Sequence, residues 1–287
     1  MNIEEKFHEF EDLVKEAGKI AYEYFDSSDT ANEQKADGSV VTEVDKNIET
    51  VLVQYIKENF PEDSIVGEEH GERAGKSEFV WHIDPIDGTD NFLRKIPFCA
   101  ISVARLGDKV EDSFGIVYNP ITKQMFSSFM ETEGGVYENE RVCKLTAEPL
   151  GGRYVISIGR GKEKWMKPAT YALSAALGMK YGKCGTYNCA ALEMSYVAAN
   201  RIDAFLTYGL KSYDYAAGLF LVKSAGAAIS VFEDGVWKLW TDNLKELCSK
   251  HQRTIFVSHP DIHSEMLSFI GNPEEWSSKV GAFVSLT

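Results

Sequence analysis

Cysteine is scarce and unpatterned. Cys99, Cys143, Cys184, Cys189 and Cys248 make five, an odd number, and no pair has CxxC spacing. That argues against a disulfide framework or a zinc-thiolate site and fits reduced thiols in a cytoplasmic protein. Long apolar runs are missing as well. Tyr215 to Val222 is among the longest, and Lys223 stops it, so no segment reads as membrane-spanning. The opening residues Met1-Asn2-Ile3-Glu4-Glu5 are acidic at once and lead into no signal-peptide pattern. Positive charge is in deficit, with 30 Lys and Arg against 44 Asp and Glu, a net charge of −14. Such a surface repels phosphate backbones, which argues against nucleic-acid binding as the main function.

What is present describes a folded protein. Hydrophobic residues make up 44% of the 287 and charged residues 26%, which excludes a disordered chain. Apolar residues at Phe7, Phe10, Leu13, Val14, Ala17, Ile20, Ala21, Tyr24 and Phe25 keep helical spacing, and Asn2 can cap that helix with Glu5 three residues on. A polar loop from Ser27 to Ser39 precedes a second predicted helix over 43–59, closed by Pro61. Strand-like pieces follow at 64–66, 78–83, 100–106, 113–118 and 124–130, the last three resembling an antiparallel meander. After about Leu150 the pattern alternates: strand 154–158, helix 165–177, helix 188–200, strand 202–206, helix 213–224, strand 228–232. Alternation of that kind predicts α/β layering. No repeat or linker interrupts it, so the expected organisation is two halves, 1–150 and 151–287, in one compact unit.

With 44 acids, an individual carboxylate stands out only where its neighbours are apolar or glycine. In Phe79-Val80-Trp81-His82-Ile83-Asp84-Pro85-Ile86-Asp87-Gly88-Thr89-Asp90-Asn91-Phe92 a hydrophobic strand runs into Asp84, and Pro85 is expected to end its ladder. Asp84 and Asp87 can converge there. Two carboxylates that close repel unless a cation lies between them or one is protonated. Oxygen ligation of this sort favours Mg²⁺ or Mn²⁺. Local physics leaves a second reading open, a polar turn in which Asp84 caps backbone amides. The same ambiguity attends Gly67-Glu68-Glu69-His70-Gly71 (site acid or solvated loop), Thr42-Glu43-Val44-Asp45 (site acid or capping box) and Asp214 at the head of an apolar helix (ligand or N-cap).

Taken together these stretches resemble the inositol monophosphatase family of metal-dependent, lithium-sensitive phosphatases, within the fructose-1,6-bisphosphatase-like superfamily. The resemblance rests on Gly67-Glu68-Glu69, on Asp84-Pro85-Ile86-Asp87-Gly88-Thr89 followed by Asn91-Phe92, and on Tyr213-Asp214-Tyr215-Ala216-Ala217-Gly218. Asp37 to Asp45 resembles the family's mobile active-site segment, and Gly185-Thr186 a pair on its substrate wall. The resemblance implies a layered αβαβα sandwich of the sugar-phosphatase type, usually a homodimer. It implies two to three Mg²⁺ ions, with Mn²⁺ as a substitute. Glu68, Asp84 and the Ile86 carbonyl would hold the first, and Asp84, Asp87 and Asp214 the second. A third, weaker ion would lean on Glu68 through waters.

Glu68, Thr89 and Asp45 form the implied catalytic set, with Thr89 and Asp45 activating water. Asp87, Gly88, Thr89, Gly185, Thr186, Thr207 and Asp214 form the implied substrate contacts. Two ions roughly 3.5–4 Å apart would stabilise the attacking and leaving oxygens of a small phosphomonoester. No protein nucleophile is implied. The cysteines read as structural, and His82 as a strand side chain pointing away from the Asp84 site.

The sequence departs from the inositol type in detail. Thr207 stands seven residues before Asp214, where inositol-directed members carry a glutamate. Tyr187 replaces a small residue, Tyr213 a tryptophan and Arg94 a histidine, and Lys211 lies three residues before Asp214. Arg94 and Lys211 either suit a more anionic substrate or are solvated surface cations. Implied substrates include inositol monophosphate, histidinol phosphate and fructose 1,6-bisphosphate. The 3′-phosphoadenosine nucleotides rank last, because their group shows Asp-Gly-Thr-Lys-Glu-Phe. A different class also stays open: some relatives keep the fold and bind transcription machinery.

Overall fold

A computed structural model describes residues 2–27, 33–34, 40–41, 43–108, 110, 112–129, 135–146, 153–161, 166–250 and 252–279. Two sheets organise the chain. The first has eight strands: β3 (Ser64–Gly67), β4 (Glu72–Arg73), β5 (Val80–Asp87), β6 (Ala100–Leu106), β7 (Phe114–Asn119), β8 (Gln124–Phe129), β9 (Val136–Glu138) and β10 (Arg141–Cys143). Their order is β10-β9-β8-β7-β6-β5-β3-β4, antiparallel except for the parallel pair β3–β5. The expected meander is β6–β7–β8. A separate hairpin joins β1 (Glu33–Gln34) to β2 (Val40–Val41). The second sheet has β11 (Tyr154–Ile158), β12 (Gly182–Gly185), β13 (Ala204–Leu210), β14 (Ala228–Glu233), β15 (Val236–Leu239) and β16 (Arg253–Ser258), ordered β12-β11-β13-β16-β14-β15.

Helices fill the layers. α1 (Ile3–Asp26) and α2 (Glu43–Asn59) cover the outer face of the first sheet. Asn2 caps α1 by accepting the Glu4 amide at 3.1 Å, and Phe7, Phe10, Val14, Ala17 and Ala21 form its buried stripe. A short α3 (Thr89–Leu93) follows β5. α5 (Ala190–Ala198) and α6 (Ser212–Ser224) lie between the two sheets. α4 (Met166–Tyr181) and α8 (Pro260–Ile270) cover the far face of the second sheet, and α7 (Leu244–Cys248) closes one edge of the central layer. The order α/β/α/β/α is the sandwich that the resemblance implies. Three apolar cores separate its layers, and the central one surrounds α5 and α6, helices that are hydrophobic nearly all round. Among the described residues no helix is long and apolar enough to cross a membrane.

The strand β5 differs from expectation in a way that builds the site. Pro85 does not end it; pairing with β6 resumes at Asp87. Asp84 stands opposite Ser102 and Asp87 opposite Ala100, so three steps on β5 span two on β6. That extra residue is a β-bulge. Proline fits there because it has no N–H to offer the ladder. The bulge also changes which side chains share a face. Trp81, Ile83 and Ile86 join the core under α1 and α2. Asp84 and Asp87, three residues apart, both reach the inner face.

Candidate active site

Four carboxylates from three separate stretches meet at the inner face of β5. Asp84 is 2% exposed, and burial pushes its carboxyl well above the ordinary range, with the charges of Glu68, Asp87 and Asp214 adding to the rise. A hydrogen bond with Glu68 adds a further rise. Burial lifts Asp87 to about 7, against the pull of two hydrogen bonds from α5 and its entrance. Tyr213 is raised by burial, then by Glu68, Asp214, Asp84 and Glu69, so its phenol borders the same acids.

Main-chain amides orient the three aspartates. Asp84 Oδ1 accepts the Ile86 N–H at 3.0 Å. Asp87 Oδ2 accepts the Ala191 N–H at 2.6 Å, across from the other half of the chain. Asp214 Oδ2 accepts the Lys211 N–H at 2.8 Å at the head of α6. The capping reading of Asp84 is therefore correct as far as one oxygen goes, whereas the N-cap of α6 is Lys211 and Asp214 is the residue three positions on that accepts its amide. Thr89 Oγ1 donates to the Ile86 carbonyl at 3.0 Å, and Gly88 before it has φ 86°, where a Cβ would crowd the carbonyls of Phe98 and Asn188. Asp45 is buried on the first turn of α2; its charge and that of Asp87 both act on Cys99, whose thiol burial raises to about 12.

No three of these side chains form a ready-made ligand cluster among the described residues. The donor set nevertheless suits a hard divalent cation. It is all oxygen, it centres on the buried Asp84, and the charges of Glu68, Asp87 and Asp214 converge on that carboxylate, so a cation would relieve the repulsion. Asp37, Gly38, Ser39 and Thr42 lie outside the described residues.

Two buried glutamates that sequence reasoning missed hold the walls of this site. Glu49 on α2 is 0% exposed. Its Oε2 accepts the Glu69 N–H at 2.7 Å and its Oε1 the His70 N–H at 3.0 Å, fixing the loop that carries Glu68. A Cβ on Gly67 would overlap Glu49 Oε1, so the glycine there is a packing requirement. Glu193 on α5 is 1% exposed. It accepts the Ser157 hydroxyl, the Tyr187 N–H at 3.3 Å and the Cys189 N–H at 3.1 Å, and burial raises it to about 7 despite these bonds. It fixes the loop with Gly185, Thr186 and Tyr187. Each glutamate is an acid set among apolar residues on a buried helical face, and that pattern was the available signal.

Other expectations need correction. Thr207 presents almost no surface, at 1%; a Cβ on Gly159 would come 2.6 Å from its Oγ1, so it packs against the second sheet's own backbone. His82 shares the inner face with Asp84, as alternation along β5 requires. It does not point away: its Nδ1 lies 3.1 Å from the hydroxyl of Ser212, first residue of α6, and burial lowers it to about 4. Cys189 is not remote from the motifs, since its thiol donates to the Asp87 carbonyl at 3.4 Å. Cys143 and Cys184 are only partly buried, and all five cysteines are free. Arg94 and Lys211 are exposed.

The chain compares closely with known proteins. A model of the inositol monophosphatase family matches residues 4–268. Nus factor SuhB of Escherichia coli K12 is 32% identical over 237 residues, covering 80% of this chain and 86% of that protein; Nus factor SuhB of Salmonella typhimurium matches to the same extent. Among solved structures, the Thermotoga maritima IMPase superposes with a TM-score of 0.77 at 24% identity, covering 98% of this chain and 99% of that one. A Staphylococcal IMPase-II bound to inositol monophosphate superposes with a TM-score of 0.73 at 22% identity, over 94% and 96% of the two chains. With the layered fold, the acid cluster and a match that runs from the first helix into the last, the chain belongs to the inositol monophosphatase family.

Proposed function

We propose that this protein hydrolyses a small phosphomonoester with Mg²⁺. The observation that carries the reading is the convergence of the Glu68, Asp87 and Asp214 charges on the buried Asp84, an arrangement that calls for a cation. Glu68, Asp84 and the Ile86 carbonyl would form one subsite, and Asp84, Asp87 and Asp214 the other. Bound there, divalent cations supply Lewis acidity and neutralise a phosphate dianion that bare carboxylates would repel. Thr89 shares the Ile86 carbonyl and, with the buried Asp45, would orient the water that attacks phosphorus. The Gly88 and Thr89 amides would receive the phosphate. Thr186 and Tyr187 would line the leaving group, with the Tyr187 ring braced by Phe98 at 5.5 Å between centroids.

Inositol monophosphate, histidinol phosphate and fructose 1,6-bisphosphate are the substrate candidates. Release of phosphate from a panel of inositol, sugar, amino-alcohol and nucleotide phosphates, with and without Mg²⁺, tests the reading. Mg²⁺-dependent release from at least one member is expected, and Li⁺ is expected to inhibit it against NaCl of equal ionic strength. No release from any member would refute it.

A second reading follows from the relatives named Nus factor. It makes this chain a protein-binding regulator that keeps the family fold. A net charge of −14 argues against direct nucleic-acid contact, so its partner would be a protein. A regulator of that kind would work equally well as Asp84→Asn, which separates the two readings.

A further inference from the structure

Glu193 stands outside every motif that carries the family resemblance, yet it occupies the joint between the two halves of the chain. Its carboxylate takes main-chain amides from Tyr187 and Cys189, one on each side of Asn188, and the Ser157 hydroxyl from β11 behind them. The outer side of the same short loop and the first turn of α5 meet the first half at three points. Asn91 Nδ2 donates to the Tyr187 carbonyl at 2.7 Å, the Cys189 thiol to the Asp87 carbonyl at 3.4 Å, and the Ala191 amide to Asp87 Oδ2 at 2.6 Å. Glu193 therefore grips the inner side of a loop that leads into the helical turn orienting Asp87. Asp84 is oriented from its own half by the Ile86 amide, and the loop that carries Glu68 is held by the Glu49 clamp on Glu69 and His70.

We propose that Glu193 is a positioning residue for the subsite of Asp84, Asp87 and Asp214. By fixing the α5 entrance it sets the orientation of Asp87, and it has no comparable hold on the subsite of Glu68, Asp84 and the Ile86 carbonyl. The inference rests on the metal-site reading above. Groups that orient metal ligands from behind are worth about 10- to 100-fold in metal affinity.

Mn²⁺ binding followed by the paramagnetic resonance of the free ion tests this without any need for turnover. The wild type is expected to show two classes of site. Glu193→Ala is expected to weaken one class by about 10-fold or more and leave the other within about 2-fold. Glu193→Gln keeps one carbonyl oxygen as acceptor, so it restores part of the lost affinity in that same class, and it decides the matter if Glu193→Ala fails to fold. Glu49→Ala is expected to weaken the opposite class. Equal weakening of both classes by the Glu193 variants, or no change in either, overturns the inference while leaving the metal reading intact. A wild type that binds no Mn²⁺ overturns the metal reading and this inference with it.

Discussion

The loop that carries Glu68 and the loop that carries Thr186 and Tyr187 are held by the same device. In each a buried glutamate accepts two main-chain amides, Glu49 in one case and Glu193 in the other. What stands behind the glutamate differs. Glu49 lies on α2, in the outer layer of the half that supplies Glu68, Asp84 and Asp87, and its carboxylate packs so closely on Gly67 that no side chain fits there. Glu193 lies on the central α5, takes a third donor from Ser157 and controls a loop that docks on Asp87 of the other half. Damage at Glu49 should stay local to one wall. Damage at Glu193 should spread across the joint. A site assembled from two halves thus has one wall held within the half of Glu68, Asp84 and Asp87, and one held within the second half and docked on Asp87.

The largest effect is expected where both walls converge. Asp84→Asn should reduce Mg²⁺-dependent phosphate release to background, read as kcat on the best substrate. The metal-free variant should melt no lower than the wild type, because a charge is removed from a crowded cluster. A large drop in its Tm would mean that Asp84 is chiefly structural. Next comes Glu49→Ala, which leaves the Glu69 and His70 amides without their acceptor and should lower stability by about 2–3 kcal/mol in urea unfolding. Gly67→Ala forces a methyl into the same carboxylate and should cost about 1–3 kcal/mol. In the Glu49→Ala background that cost should largely vanish, a coupling that a double-mutant cycle measures directly. Additive losses would show that the two residues do not touch in the working protein.

A smaller effect concerns pH. Burial raises Asp87 and Glu193 to about 7 in the fold, far above their unfolded values. The folded chain therefore binds more protons than the unfolded one as pH approaches 7, and stability falls as pH rises through that value. Buried His82 and His263, lowered to about 4, act in the opposite sense only below their ordinary value of 6.5. Between 6.5 and about pH 8 the acids act without that offset, so the Tm of protein in EDTA should fall over this window, and Mg²⁺ should remove the part of the slope that Asp87 contributes. The smallest effect is expected at Thr207. Because it is packed against Gly159, Thr207→Val should leave the ratio of kcat/KM for myo-inositol 1-phosphate and glycerol 2-phosphate unchanged. A shifted ratio would return Thr207 to the substrate wall.

Helical spacing placed α1 and α2, because each buries a single regular stripe, and short apolar runs placed β6, β11 and the strand leading to Asp84. Where local geometry breaks its own period, sequence reasoning erred. Asp84 and Asp87 have odd spacing, and only the bulge at Pro85 puts both on one face. The spacing from Thr207 to Asp214 misled because the pairing of β13 with β16 shifts between Thr207 and Leu210, and Gly209 there has φ 60°. Glu49 and Glu193 were hidden among 44 acids, although each is the lone carboxylate within an apolar run of its helix, in Ile48-Glu49 beside Val51-Leu52 and in Ala190-Ala191-Leu192-Glu193-Met194. Their partners are main-chain amides, which no residue name reveals.

The account turns on the acid cluster being a two-cation site assembled across the joint. Anomalous diffraction from crystals of the whole chain soaked in Mn²⁺ reads that directly. Two peaks are expected roughly 3.5–4 Å apart, one among Glu68, Asp84 and the Ile86 carbonyl, the other among Asp84, Asp87 and Asp214. Crystals that take up Mn²⁺ elsewhere but leave these carboxylates without a peak would contradict it.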